Sequence, residues 1–219
     1  MFSKSTTAGA VALLAAPIVV IAGTLAQPTL ADDAASQAAA LTGHRGAMIT
    51  GMALSSVAVV LLIAGIIWLA LALAPRTPRL ARAGGVLGVL GLLVVLFENS
   101  VAAAGPAIVT SLDRIQATSL LDRIHSGAIS ALGPLSVTGD IGLALLGIAA
   151  VKAGAPRWAG AAIIVGALAE GAGFATGTKT VVITAFAVLF LGLLQTVRAL
   201  AASPSPRLGD AGAKAAALS

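Results

Sequence analysis

The chain has no cysteine and no tyrosine, only five phenylalanines and two tryptophans, and charges on just 10% of its 219 residues. Each shortage excludes something. Without cysteine there are no disulfides, no thiolate nucleophile, and no Cys-based zinc or iron–sulfur site. Soluble domains carry about 25% charged residues and about 45–50% apolar ones. Here the apolar share is 58% and the mean hydropathy is +1.04, which rules out an ordinary soluble domain. The net charge of +5 would fit nucleic acid only if basic residues clustered among aromatics, and they do not. No phosphate-binding loop is present: Gly177-Thr178-Lys179-Thr180 has a residue between Gly and Lys and no preceding strand.

What is present is a series of six long apolar runs, at about 8–26, 48–74, 83–104, 132–151, 158–175 and 180–199. Each is long enough to cross about 30 Å of hydrocarbon. The expected fold is therefore all-α: a polytopic membrane bundle of six helices forming one domain over 1–202, with a disordered tail at 203–219. Pro75 and Pro78 stop the second run and Gly105-Pro106 the third. The first run could instead be a signal peptide, with Thr29-Leu30-Ala31 as its cleavage site. Its length of about 19 residues exceeds the 7–15 of a signal-peptide core and favours a retained helix.

Orientation follows from the basic residues. With the N-terminus inside, Lys4, Arg76, Arg79, Arg82, Lys152, Arg157, Arg198, Arg207 and Lys214 are cytoplasmic. Arg45, Arg114, Arg123 and Lys179 are outside. That excess on one side is the pattern of inner-membrane proteins and places both termini in the cytoplasm. The Ala, Gly and Arg bias fits a high-GC bacterial genome, hence a bacterial cytoplasmic membrane. Between the third and fourth runs, 108–131 is too polar to cross. Ile108, Leu112, Ile115, Leu121, Ile124, Ala128 and Leu132 recur mostly every three or four residues, which predicts one amphipathic helix in the outer interface. It is read either as a plain interfacial helix or as a lid. Glycines such as Gly84, Gly88, Gly91, Gly139 and Gly142 serve close helix packing, within the bundle or in a homo-oligomer or with another membrane protein.

Only three acids fall inside the spans: Glu98, Asp140 and Glu170. A carboxylate in hydrocarbon costs roughly 2.5–3.5 kcal/mol on insertion scales, so such residues are site candidates. Counted from Arg82, Lys152 and Arg157 at about 1.5 Å per residue, they lie roughly 24, 18 and 20 Å across the membrane. This common depth predicts a shared cavity beneath the 108–131 helix, with Asn99 as an amide neighbour and Phe97 and Phe174 as apolar walls. Neighbouring carboxyls can share a proton or take a hard cation. Two structural alternatives compete. The acids could reach headgroups at span ends, with Gly171, Gly173 and Gly177 ending the fifth span early, or they could bridge helices as packing glue.

The expected function is binding or passage of a small lipophilic or cationic ligand at these acids, with membrane lipids as surroundings. One alternative is an intramembrane enzyme using Glu98, Asp140 or Glu170 as general acid on an isoprenoid or lipid. Another is an accessory subunit of a membrane complex. No cofactor is required. A divalent metal would need His125 to join the carboxylates, whereas His44 is expected in solvent.

Overall fold

The computed structural model describes residues 4–27, 43–124, 126–127 and 130–202. The loop holding Thr29-Leu30-Ala31, His125 and the tail at 203–219 lie outside them. Every regular element among the described residues is a helix: α1 (Lys4–Ala26), α2 (Arg45–Leu73), α3 (Pro78–Ala102), α4 (Gly105–Ser111), α5 (Arg114–Ile124), α6 (Ser130–Lys152), α7 (Arg157–Ala175) and α8 (Lys179–Ala202). Six segments, carried by α1, α2, α3, α6, α7 and α8, are long and apolar enough to cross a membrane, the build of a multi-pass membrane protein.

The turns between spans are set by local chemistry. Thr77 closes the α2 end, its N–H and hydroxyl both donating to Leu73 O, and Pro78 opens α3 at a position where no N–H is missed. Helices α6 and α7 both end in a Schellman turn. Gly154 (φ 107) and Gly177 (φ 63) take the left-handed position that other residues avoid. In these turns Ala155 N–H donates to Ala150 O, and Thr178 N–H to Gly173 O. Gly177 thus ends α7, whereas Gly171 and Gly173 lie within it, so an early end to the fifth span is excluded.

The six spans form a closed ring in the order α1, α2, α3, α6, α7, α8, with α8 packing back onto α1 and a narrower contact between α2 and α6 across the middle. Arg76, Lys152 and Arg157 mark one end of the ring, the basic end; Gln27, Arg45 and Lys179 mark the other. Leu13, Leu62, Ile66, Leu69, Leu146, Ile163, Leu189 and Leu193 fill the interior toward the basic end. Helix α1 belongs to this core, since Leu13 and Ala16 are fully buried and Gly65 of α2 packs on the Leu13 backbone. At the opposite end, Lys179 Nζ donates to Gln27 O and Gln27 Nε2 donates to Ser55 Oγ at 3.3 Å, tying α8, α1 and α2 together.

Lipid tails are as apolar as leucine, so helices in a membrane associate through close packing. The tightest contact joins α3 to α6. A Cβ at Gly91 would strike the Gly139 backbone, one at Gly142 the Gly88 backbone, and one at Gly84 would lie 2.9 Å from Gly142 O. The Gly84-x-x-x-Gly88 pattern is used inside the bundle.

The amphipathic segment differs from the single helix expected over 108–131. It forms α4 and α5, separated by extended backbone at Leu112 (φ −118, ψ 156). The reason is Asp113, whose Oδ1 accepts from Gln116 N–H at 2.9 Å and so starts a new helix as its N-cap. The restart shifts the apolar face to Ala117 and Leu121, both buried, and leaves Ile115 83% exposed. Leu121 seats on Met48, with Met52, Ile108 and Val109 around them. Met48, Val59, Leu62 and Ile66 share one face of α2, so α5 covers part of the ring's mouth at the end away from the basic loops.

Candidate functional site

Glu170 owes its position to the faces of α7. Gly166 and Gly173 press against Leu189 and Val182 of α8, Gly160 presses against Gly147 of α6, and Val165 and Leu168 are exposed to lipid. Glu170 lies two residues beyond Leu168, about 200° around the helix, which turns it inward between α6 and α8. Its Oε2 is buried and has no hydrogen-bond partner among the described residues. An enclosed polar atom left unpaired costs about 1–3 kcal/mol, more if charged, so the fold holds this oxygen at a real expense.

Asp140 approaches from α6 through the gap beside α7. Its Oδ2 occupies the space where a side chain at residue 171 would stand, since a Cβ on Gly171 would come within 2.7 Å of it. Gly171 therefore makes room for a carboxyl group. The carboxyls of Asp140 and Glu170 are close enough to repel each other when both are charged. Among the described residues, no Lys, Arg or His supplies a compensating charge to Glu98, Asp140 or Glu170.

Glu98 stands apart from this pair. Its Oε1 lies against α6 at Gly133, 3.6 Å from where a Cβ would be. Gly133 is seven residues from Asp140, or roughly 10 Å along the helix. The structure thus brings Asp140 and Glu170 together and puts Glu98 two turns farther from the basic end. Ser136 lies between them on the same face of α6, its hydroxyl donating to Gly133 O at 2.6 Å. Asn99 is half-buried beside Glu98.

The two aromatic residues are placed differently from the expected walls. Phe97 is 44% exposed and continues a lipid-facing stripe of Val86, Leu90 and Leu93. Phe174 is also exposed, and its ring meets Phe186 edge to face at 6.5 Å. His44 is the exposed N-terminal flanking residue of α2. No group of three or more His, Cys, Asp or Glu among the described residues is gathered closely enough to hold a metal ion. A shallow apolar groove of about 250 Å³ runs between α7 and α8, lined by Val165, Ala169, Thr184 and Val188, on the lipid side of α7.

Sequence reading by depth found the three acids but not the small residues that serve them. Gly171, Gly133 and Ser136 carried a usable signal: each lies at helical spacing from an acid or beside one. In comparisons with known proteins, the chain matches no family model, no curated protein and no solved structure.

Proposed function

We propose that this protein binds a small cation, or a small lipophilic molecule bearing a cationic group, at the Asp140–Glu170 pair, in the outer half of a bacterial cytoplasmic membrane. The observation that carries the reading is the buried, unpartnered Oε2 of Glu170 facing inward beside a second carboxyl. Two such groups with no basic partner cannot both be charged at acceptable cost unless a cation joins them. A structural ion pair or a helix-bridging hydrogen bond would have satisfied that oxygen. The enzyme reading takes second place: cation-forming chemistry needs aromatic walls around its acid, and Phe97 faces lipid while Phe174 packs on Phe186.

The test is a thermal-unfolding panel on the detergent-purified chain. Alkali cations and tetramethylammonium are exchanged at fixed ionic strength against a bulky organic cation. A ligand at one hundred times its Kd stabilises by about 2.7 kcal/mol. At least one cation should raise Tm in the parent protein, with the rise lost in Glu170→Gln and Asp140→Asn. A panel that moves all three proteins equally ends this reading.

The orientation is part of the proposal and rests on the basic residues of the α2–α3 and α6–α7 turns. Reporter fusions at Arg79 and Gly154 should behave as cytoplasmic and one at Gln116 as external. The inverse pattern would move the pair to the inner half of the membrane.

A further inference from the structure

We infer that Ser136 and Glu98 form the entrance to the Asp140–Glu170 pair, so that the site draws a small water-borne cation from the outer aqueous side and not a cation dissolved in the bilayer. This rests on the cation-binding reading and adds its route and ligand class.

Three observations carry it. First, Gly133, Ser136 and Asp140 are spaced i, i+3, i+7 and share one face of α6, with the Glu98 carboxyl lying against the first of them. Polar groups therefore recur along a single line from the end of the ring opposite the basic loops down to the pair. Second, the line stops there. One turn farther toward the basic end come Leu143 on α6 and Ala167 on α7, followed by Leu146 and Ile163, all 0–2% exposed. Among the described residues, no polar side chain on these faces of α6 and α7 continues inward, so the pair is the closed end of a one-sided path. Third, the flank of the α6–α7 contact that faces lipid is apolar. Ile141 and Leu168 are 46% and 58% exposed there, and they offer a hydrated cation nothing to replace its water. Glu98, Ser136, Asp140 and Glu170 are all partly enclosed, and at the end of the line the Oε2 of Glu170 is buried.

Because the chain has no native cysteine, one introduced thiol reports its own surroundings. The experiment uses Ser136→Cys in the full-length protein, reconstituted in vesicles of known orientation. Two membrane-impermeant methanethiosulfonates are added outside, one trimethylammonium-bearing and one sulfonate-bearing. The thiolate attacks the sulfenyl sulfur, a mixed disulfide forms, methanesulfinate leaves and the thiol proton passes to buffer. Rates are divided by each reagent's rate with a free thiol. Charge focusing in a cleft concentrates counter-ions by about 10-fold or more, so the cationic reagent should win by about that factor. Adding Glu98→Gln should shrink the preference severalfold. Ile141→Cys on the lipid face and Leu143→Cys in the core should react with neither reagent.

Equal rates with both reagents, reaction only with a lipid-permeant maleimide, or reaction only from the basic end would each overturn the route. If Ser136→Cys fails to give a monodisperse protein, Gly133→Cys carries the same test, since a Cβ there meets only ordinary contact. Failure of labelling while cations still raise Tm leaves a pair reached another way; loss of both removes the site itself.

Discussion

Helix α6 is packed by glycines on two sides, and the two sides do opposite things. Toward α3, Gly139 and Gly142 meet Gly84, Gly88 and Gly91 backbone to backbone, leaving no volume between the helices. Toward α7, Gly147 meets Gly160 in the same way near the basic end, but farther along Gly171 faces the Asp140 carboxyl instead of a backbone. One glycine contact removes space; the other reserves it for a charged group. The same residue type thus builds the bundle on one side of α6 and a site on the other. What separates them is the neighbour across the gap.

The larger way to break that comparison is to fill the α3 side. Gly142→Leu would drive a side chain into the Gly88 backbone, where neither helix can yield without opening the whole α3–α6 contact. Overpacking in well-packed cores costs about 1–3 kcal/mol and sometimes more, and rigid backbone on the receiving side puts this change at or above the upper end. The expected result is loss of the monodisperse peak on size-exclusion chromatography in detergent. A folded Gly142→Leu protein with parental Tm would show that α3 and α6 are held by something other than their glycines.

How much of this could be read beforehand depends on which coordinate is asked for. Depth is linear in residue number, so the six spans and the shared level of Asp140 and Glu170 were legible from counting, whereas the same level expected for Glu98 is not met: its carboxyl stands two turns farther from the basic end. Azimuth was not legible. In lipid every face of a span can be apolar, so no polar stripe marks the outside, and Phe97 next to Glu98 looks like its neighbour although 100° of helix turns it toward the membrane. The inward faces are marked instead by glycine, whose spacing along α3, α6 and α7 encodes the ring. The division of the 108–131 segment was also written in the chain. Asp113 followed three residues later by Gln116 is a helix-start signal, and here it outweighed the apolar periodicity that suggested one continuous helix.

The smaller change sharpens the comparison on the α7 side, through Gly171→Ala. Two effects oppose each other. Replacing a helical glycine by alanine favours the helix by up to about 1 kcal/mol. Against that, the new Cβ would stand 2.7 Å from Asp140 Oδ2, with the Asp140 Cγ next at 3.7 Å. The obstacle is the far end of a side chain, which can rotate away, so the clash costs far less than at Gly142. Net stability in the parent should change by less than about 1 kcal/mol, whereas in an Asp140→Ala background the same substitution should stabilise, because the clash is gone and the helix gain remains. Contacting residues show coupling of about 0.5–3 kcal/mol, and this cycle should fall at the lower end, read as a difference in Tm shift between the two backgrounds. The displaced carboxyl should also weaken the cation-dependent rise in Tm without abolishing the fold. Equal shifts in both backgrounds would mean that Gly171 reserves no space for Asp140, and that the α7 side of α6 is another close-packed contact like the α3 side.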